Sequence, residues 1–316
     1  MTKKLSLLVP MYNEEEVIGP FFNQVLPIVE QLALDWEIVC VNDGSKDRTL
    51  EILLEWHQQD ERIKVINLSR NFGKERAMTA ALDLAQGDAV IPMDADLQDP
   101  PELIPEMVEK WQLGFDVVNA ARASRDTDTI TKRTTAGLFY RLINTVSETE
   151  IPRNVGDYRL LSRRVCDVLR SMRETHRFMK GLSSWVGYPT TTIYYERQPR
   201  LGGETKWNYW NLWNYALEGI ISFSTVPLKI ATYLGLTAAT LGFAYAIMLV
   251  IKTMIFGDPV QGYPSLMTAI LFFGGVQLIF IGIIGEYIAR IHDEMKGRPI
   301  YVIDTTHGFD SPAKEA

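Results

Sequence analysis

The stretch AVIPMDADLQDPPE, residues 89–102, joins a short apolar run to a string of acidic and amide side chains. The run Ala89–Met93 has the length and composition of a buried strand. Asp94 and Asp96 follow it directly. Because ligand sites in α/β sheets collect at the carboxyl ends of strands, this stretch predicts a buried strand with a polar site at its end.

Two earlier stretches repeat this arrangement of an apolar run and a polar cluster. The run Leu5–Val9 leads into VPMYNEE (Val9–Glu15), and the run Glu37–Val41 leads into VNDGSKDRT (Val41–Thr49). Further strands are predicted at Lys64–Leu68, Asp116–Asn119 and Thr191–Tyr195, and helices near 14–33, 48–59, 74–86, 101–112 and 134–146. This alternation of strands and helices predicts a Rossmann-like α/β domain with a mainly parallel sheet.

The composition excludes some classes of protein. A net charge of −7 over 316 residues argues against general nucleic-acid binding, which calls for a basic face. The two cysteines, Cys40 and Cys166, form neither a disulfide framework nor a zinc pattern, and reduced thiols suit the cytosol. The apolar run Leu5–Pro10 is too short for a signal peptide core, so we expect the N-terminal domain to stay on the cytoplasmic side.

Two long apolar segments near the C-terminus predict transmembrane helices. Ile230–Ile251 and Ser265–Gly285 carry no charge, and each is long enough to cross a hydrocarbon core of about 30 Å at about 1.5 Å per residue. The alternative is a pair of buried helices in a soluble protein. Before the first segment, aromatic residues recur at helical spacing, which favours either a helix at the membrane surface or a core helix: Trp207, Trp210 and Trp213.

The charges around these segments predict their orientation. The connecting loop Phe256–Pro264 has no Lys or Arg, whereas the outer flanks carry Lys229, Arg290, Lys296 and Arg298, so both termini are expected in the cytoplasm. The predicted division of the chain is a catalytic domain (1–200), an amphipathic juxtamembrane segment (201–228), transmembrane helices (229–255 and 265–290), a short non-cytoplasmic loop between them (256–264) and a cytosolic tail (291–316). Small and polar positions in the second segment permit close helix packing and favour a homo-oligomer: Gly274, Gly275, Gln277, Gly282 and Gly285.

The acidic cluster after Met93 has the chemistry of a metal site. Two carboxylates, Asp94 and Asp96, with the Gln98 amide nearby and no His or Cys, suit a hard cation such as Mg²⁺ or Mn²⁺. A cation held there bridges to a diphosphate and neutralises charge on a leaving nucleotide. The alternative is helix capping by Asp99 ahead of Pro100, and both interpretations can hold.

Asp43 and Glu14 each have two interpretations. Asp43 lies beside Gly44 and Ser45, a composition typical of a turn. At the end of a strand its carboxylate could instead accept hydrogen bonds from a nucleobase or ribose, and Glu14 could do the same from the first strand end.

The three clusters, in this order and spacing, resemble those of glycosyltransferase family 2, which has the GT-A fold. The resemblance continues through LSRNFGKERAMTAAL (Leu68–Leu82), GDYRLLSRR (Gly156–Arg164), RFMKGLSSWVGY (Arg177–Tyr188) and RLGGETKWNYW (Arg200–Trp210), to about Ile303. With the two apolar segments, the chain resembles the polyprenyl-phosphate members of that family. These are the bactoprenol glucosyltransferases and, more distantly, dolichyl-phosphate mannose synthase and the aminoarabinose transferase.

The resemblance implies a role for each matching residue. It implies base and ribose binding by Pro10, Tyr12, Glu14 and Asp43, and binding of the metal and the donor diphosphate by Asp94, Asp96 and Gln98. It implies that Arg122 meets the acceptor phosphate, with Lys132 or Arg133, and that Arg200 and Lys206 close over the phosphates. Asp157 would be the remaining active-site carboxylate, so that the catalytic set is Asp157, Asp96 and Arg122. Asn42 stands where many relatives have Asp, and no role is assigned to it.

The implied reaction is the inverting transfer of glucose from UDP-glucose to the phosphate of undecaprenyl phosphate in the bilayer. A phosphate with a second pKa near ~6 is already ionised at neutral pH, so a strong general base is less necessary. The alternatives are transfer of a mannose- or aminoarabinose-type sugar, a processive polysaccharide synthase, and a non-catalytic scaffold or flippase component. The synthase is disfavoured because the chain contains no Arg-Trp pair and only two apolar segments.

Overall fold

The computed structural model describes residues 3–122, 155–175, 177, 179–196, 226–256 and 262–309. The strands in these ranges are β1 (Lys4–Met11), β2 (Asp35–Asn42), β3 (Ile63–Leu68), β4 (Ala89–Pro92), β5 (Val117–Arg122), β6 (Val155–Ser162), β7 (Thr190–Tyr195) and β8 (Ile303–His307). The helices are α1 (Ile18–Glu30), α2 (Thr49–Gln59), α3 (Lys74–Leu84), α4 (Ile104–Gln112), α5 (Arg163–Ser171), α6 (Met179–Trp185), α7 (Val226–Phe256) and α8 (Tyr263–Met295). A short 3₁₀ turn, Pro101–Leu103, precedes α4.

All eight strands form one sheet in the order β7-β5-β6-β4-β1-β2-β3-β8. β1 pairs in parallel with β2 and with β4, and β2 pairs in parallel with β3. β6 runs antiparallel to both β4 and β5, and β8 runs antiparallel to β3. The expectation of an α/β fold with a mainly parallel sheet is confirmed, and the antiparallel strands lie towards the two ends of the sheet.

Helices cover both faces of the sheet, which explains the continuous apolar runs in its central strands. Successive side chains of a strand point to opposite faces. In β1, Leu7 packs into the core beneath α1, α2 and α4, whereas Leu8 packs into the core beneath α3, α5 and α6. The domain is therefore a three-layer sandwich whose central strands have no solvent-facing side.

Two strands were not predicted, and each has a local reason. β6 carries Gly156 and Asp157, which are poor strand formers, and it buries the charged Arg159. β8 lies in the segment 291–316, which sequence analysis assigned to a tail. Instead, Ile303–His307 pairs with the exposed edge of β3. The tertiary contact made β8 a strand, since pairing satisfies the unpaired backbone groups of an edge.

Side chains also tie the segment after α8 to the catalytic domain. The Asn67 amide donates to Asp304 at 3.0 Å, and the Tyr301 hydroxyl donates to Asp83 at 2.7 Å. Within α8 itself, the Glu294 carboxylate accepts from the backbone N–H and the hydroxyl of Thr175, at 2.6 and 3.1 Å. The α/β domain therefore holds the far end of the hairpin formed by α7 and α8.

The two apolar segments form long helices, α7 and α8. Among the described residues, one segment, Phe272–Met295, meets the length and composition of a membrane span, and none of it is buried. The alternative of helices buried in a soluble core therefore finds no support in the burial of this segment of α8. The two helices touch where α7 has glycines: the position of a Cβ on Gly235 lies 3.5 Å from the Phe280 ring. No described atom lies within 4 Å of such a position at the glycines of α8: Gly274, Gly275, Gly282 and Gly285. The predicted helix 134–146 and the aromatic segment before α7 lie outside the described residues.

Glu37 is a buried acid in β2, 1% exposed, that links three strands of the sheet. Its carboxylate lies 2.8 Å from the Lys4 ammonium and 2.9 Å from the Lys64 ammonium. It also accepts from the Ser6 hydroxyl and the Gln86 backbone N–H, both at 2.6 Å. Burial alone would raise the pKa of Glu37, but these partners outweigh it and lower that pKa from 4.5 to about 2.

We expect Glu37→Gln to lower the free energy of unfolding by about 3 kcal/mol at pH 7, because two lysines lose their buried counter-charge. The depressed pKa means that this stability is present above pH 4.5 and is lost as the pH falls towards 2. The difference in the free energy of unfolding between wild type and variant should therefore shrink as the pH falls from 4.5 towards 2. Thermal unfolding of the detergent-solubilised protein at several pH values measures it. Glu106→Gln, on the exposed side of α4, is the control, and a pH-independent difference would contradict the prediction.

Candidate active site

The loops after β1 and β2 interlock at the carboxyl edge of the sheet. Asn13 has a positive φ of 54°, its N–H donates to the Ser45 hydroxyl at 2.9 Å, and its side-chain oxygen accepts from the Lys46 N–H at 2.9 Å. The Glu14 N–H donates to the Thr49 hydroxyl at 2.9 Å. The first two polar clusters of the sequence are thus one connected unit, with the half-buried Pro10 and Tyr12 beside it.

Asp43 holds a third loop against this unit. Its carboxylate is 3% exposed and accepts from the backbone N–H groups of Phe72 and Gly73 at 2.7 and 2.9 Å. Burial raises the pKa of Asp43 above its ordinary value, although the two amides lower it in part. Beside it, Gly44 has φ +66°, and a Cβ there would lie 2.4 Å from the Arg70 carbonyl carbon. In this structure Asp43 therefore organises the β3–α3 loop, and a contact with the nucleotide stays a prediction.

Asn42, to which sequence analysis gave no role, connects β2, β3 and the turn between them. Its amide donates to the Asn67 side-chain oxygen at 2.7 Å, and its own oxygen accepts from the Ser45 N–H at 3.3 Å. A carboxylate at position 42 could accept from the Ser45 N–H but could not donate to the Asn67 oxygen. The hydrogen bond to Asn67 explains why residue 42 is an asparagine. This partner could be identified only from the register of β2 and β3.

The acidic cluster after β4 meets Asp157 of β6 through a lysine. The Lys74 ammonium lies 2.6 and 2.8 Å from the two carboxylate oxygens of Asp94 and 3.1 Å from Asp157. Burial would lower the pKa of Lys74, but the two carboxylates outweigh it and raise that pKa above its ordinary value. Sequence analysis proposed both aspartates but missed Lys74. Its position within the family motif Leu68–Leu82 was the feature that could have identified it.

Asp96 and Gln98 flank a tight turn in which Leu97 adopts φ 54°. The Gln98 N–H donates to the Asp96 carboxylate at 3.2 Å. The Gln98 side chain is 4% exposed, and its buried Oε1 has no hydrogen-bond partner among the described residues. In the same part of the chain, no three His, Cys, Asp or Glu side chains are grouped as a metal site. The turn therefore offers two carboxylates and an amide oxygen rather than a complete ligand cage.

Asp99 does not cap a helix. The 3₁₀ turn begins at Pro101 with Pro100 as its N-cap residue and no side-chain hydrogen bond, so the capping prediction is wrong. The Asp99 carboxylate instead accepts from the Tyr195 hydroxyl at 2.6 Å. Burial raises the pKa of Asp99, and the bond from Tyr195 offsets part of that rise. Tyr195 was missed because it reaches Asp99 from the far end of the sheet.

Arg122 ends β5 beside this pair. It is the register partner of Tyr195 in β7, and its guanidinium also contacts the Tyr195 hydroxyl. Its Nε is buried without a hydrogen-bond partner in the part of the chain that the structure describes. The other basic residues proposed for the phosphates lie outside the described residues: Lys132, Arg133, Arg200 and Lys206.

The chain is similar to known glycosyltransferases over nearly its whole length. A prophage-derived bactoprenol glucosyl transferase of Shigella flexneri is 51% identical over 304 residues, which are 96% of this chain and 98% of that protein. An uncharacterised glycosyltransferase of Synechocystis is 52% identical over 310 residues, 98% of each chain. A solved structure, glucosyl-3-phosphoglycerate synthase from Mycobacterium tuberculosis with Mn²⁺, UDP-glucose and phosphoglyceric acid, is 18% identical with a TM-score of 0.44, over 64% of this chain and 73% of that one.

Two families account for most of the chain. Residues 226–291, which comprise α7 and most of α8, match the GtrB C-terminal hairpin. Residues 6–170, from β1 to α5, match glycosyl transferase family 2. Together with the relatives, these matches confirm the resemblance based on the sequence motifs: the chain belongs to glycosyl transferase family 2.

Proposed function

We propose that this protein transfers glucose from UDP-glucose to the phosphate of a membrane polyprenyl phosphate such as undecaprenyl phosphate, with inversion at the anomeric carbon. One observation carries the proposal. Asp94 and Asp157 both contact the Lys74 ammonium at the carboxyl edge of the sheet. They do so in a chain that is 51% identical over 96% of its length to a bactoprenol glucosyl transferase.

The nucleoside of the donor would lie on the interlocked loops after β1 and β2. Pro10, Tyr12 and Glu14 belong to the first loop, and Asp43 stands at the start of the second. Hydrogen bonds from backbone N–H groups of each loop to side-chain oxygens of the other hold their shape before any ligand arrives. A preformed surface of this kind lowers the ordering cost of binding, which supports a nucleotide site here.

The residues around Gln98 fit a divalent cation. Asp94, Asp96 and Gln98 offer only oxygen ligands, the kind that Mg²⁺ and Mn²⁺ prefer, and the buried Gln98 Oε1 lacks a hydrogen-bond partner among the described residues. When bound, such a cation would neutralise charge on the departing diphosphate. Because the protein supplies few ligands, donor oxygens would complete the coordination.

The acceptor phosphate would meet Arg122. An arginine guanidinium binds phosphate with two parallel hydrogen bonds, and the Arg122 Nε is buried without a partner in the described part of the chain. Lys132, Arg133, Arg200 and Lys206 are the further cations that we assign to the phosphates. An acceptor oxygen would form a bond to the anomeric carbon while the bond from that carbon to UDP breaks, so UDP leaves with the bonding electron pair. Asp157 would position these groups, since the acceptor is already an anion.

The hairpin would keep the enzyme beside its lipid. We propose that α7 and α8 both cross the inner membrane, with the loop 256–264 outside the cytoplasm and the divisions 1–200, 201–228, 229–255, 265–290 and 291–316 as predicted. Pairing of β8 with β3 supports an even number of crossings, because it returns the chain after α8 to the domain that precedes α7. The exposed glycines of α8 support packing against a second copy.

A different sugar is the main alternative, because a few contacts in a pocket decide sugar selectivity. Mannose- or aminoarabinose-type donors would use the same loops and the same acidic cluster. Purified protein incubated with undecaprenyl phosphate and each labelled nucleotide sugar would test both the sugar and the activity. Label from UDP-glucose in a mild-acid-labile lipid supports the proposal. Absence of labelled lipid from every donor would support a non-catalytic scaffold instead.

Asp96→Ala should lower glucosyl transfer at least about a hundredfold, because it removes a proposed metal ligand and with it charge stabilisation of the leaving group. The protein should remain folded, since the Asp96 side chain is half-buried and does not belong to the apolar core. Label transferred to lipid measures the rate, and thermal unfolding checks the fold. Asp35→Ala, at the opposite edge of the sheet, is the matched control. Full activity in Asp96→Ala would remove the metal-site proposal.

Arg122→Gln should lower kcat/KM for polyprenyl phosphate more than about tenfold while changing the Kd for UDP by less than about twofold, because a charged phosphate contact is lost on the acceptor side only. Steady-state kinetics with varied lipid and calorimetry with UDP measure the two values. Arg62→Gln, paired with Asp60 on the surface, is the control. Equal losses for lipid and UDP would place Arg122 in the donor site instead.

Single cysteines test the membrane topology, because Cys40 and Cys166 are both fully buried and should not react. Gly262→Cys, at the start of α8, should react with a membrane-impermeant maleimide in intact spheroplasts. Glu106→Cys, on the exposed side of α4, should react only after lysis. Labelling of both cysteines only after lysis would contradict two crossings.

A further inference from the structure

The Lys74 ammonium occupies the meeting point of three elements. Lys74 begins α3, Asp94 follows β4, and Asp157 lies in β6. The ammonium contacts both carboxylate oxygens of Asp94, at 2.6 and 2.8 Å, and one oxygen of Asp157, at 3.1 Å. One protein cation therefore spans two acids that belong to different strands of the sheet.

A divalent cation bound to Asp94 would compete directly with this ammonium. Both oxygens of Asp94 are engaged by Lys74, so a metal ligated by either oxygen would lie next to a positive charge. Two cations about 4 Å apart repel each other by several kcal/mol near a protein surface. The two occupants therefore exclude one another unless Lys74 moves.

Lys74 has room to move. Its side chain is 43% exposed, and those of Asp94 and Asp157 are 39% and 26% exposed. A lysine carries its charge on a flexible four-carbon stem, so the ammonium can leave the carboxylates without moving α3. A ligand could therefore approach these three side chains from the solvent.

We propose that Lys74 is a tethered counter-ion of Asp94 and Asp157 and is displaced when a divalent cation binds. The displaced ammonium then becomes available to the donor diphosphate. This inference rests on the proposed function for the metal and the donor, but the exchange of one cation for another is a property of Lys74, Asp94 and Asp157 alone. It makes Lys74 a positioning residue that keeps two acids together until a divalent cation replaces it.

The test is the affinity for Mn²⁺ without nucleotide, measured by paramagnetic resonance on the full chain in detergent. Lys74→Gln and Lys74→Met remove the competing charge and should tighten Mn²⁺ binding about tenfold or more, within the usual range of coupling between sites. Lys74→Arg keeps the charge and should stay close to wild type. Thermal unfolding confirms that each variant is folded.

Arg76→Gln is the matched control, because it removes one positive charge from the same first turn of α3, where the guanidinium contacts the Phe72 carbonyl and neither acid. A general electrostatic effect would tighten Mn²⁺ binding equally in Arg76→Gln and Lys74→Gln, and that result would overturn the proposal. Unchanged or weaker Mn²⁺ binding in the neutral Lys74 variants would overturn it as well. Tighter binding in them without any sugar transfer by wild type would uphold the exchange and refute the proposed function.

A second measurement needs no variant. Mn²⁺ should speed acetylation of Lys74 by acetic anhydride about fivefold or more at fixed pH, because a side chain released from two carboxylates is more accessible to the reagent. Mass spectrometry of the wild-type protein follows the modification, with Lys110 on α4 as the internal control. A Lys74 rate that Mn²⁺ leaves unchanged would overturn the proposal.

Discussion

Parallel pairing of β1 with β2 on one side and with β4 on the other is the constraint on which the remainder of this structure depends. It puts the carboxyl ends of three strands side by side, so the loops that follow them meet at one edge. Both faces of these strands are buried beneath helices, so the register is strongly specified. A slip by one residue would exchange the two cores and move Asp43 and Asp94 away from their partners.

That edge gathers negative charge, and the protein compensates each acid differently. Asp43 accepts two backbone N–H groups, Asp99 accepts from Tyr195, and Asp94 shares the Lys74 ammonium with Asp157. Backbone amides are fixed in place, whereas a lysine is mobile. The Asp43 carboxylate is therefore held by groups that cannot leave it, whereas the Asp94 and Asp157 carboxylates are held by a side chain that can.

The return of the chain after α8 links the hairpin of α7 and α8 to the sheet of the catalytic domain. β8 closes the exposed edge of β3, while Tyr301 and Arg173 share Asp83 and Glu294 accepts from Thr175. The hairpin is consequently attached to the domain beyond its second helix by backbone pairing as well as by side chains. With the membrane crossings proposed above, an attachment of this kind would limit how far the site can move from the bilayer surface. The fold therefore supports the proposed use of a lipid that never leaves the membrane.

The sequence by itself determined the alternation of strands and helices, the polar clusters at strand ends and the two long apolar helices, because these follow from local periodicity and from chemistry of adjacent residues. Only the tertiary structure decided that 303–307 is a strand, that Asp99 accepts a hydrogen bond from the Tyr195 hydroxyl, and that the Lys74 ammonium contacts both Asp94 and Asp157. Each of these contacts pairs residues far apart in the chain, by 83 positions for Lys74 and Asp157 and by 96 for Asp99 and Tyr195. No local pattern encodes such a partner, since the order and register of the strands select it.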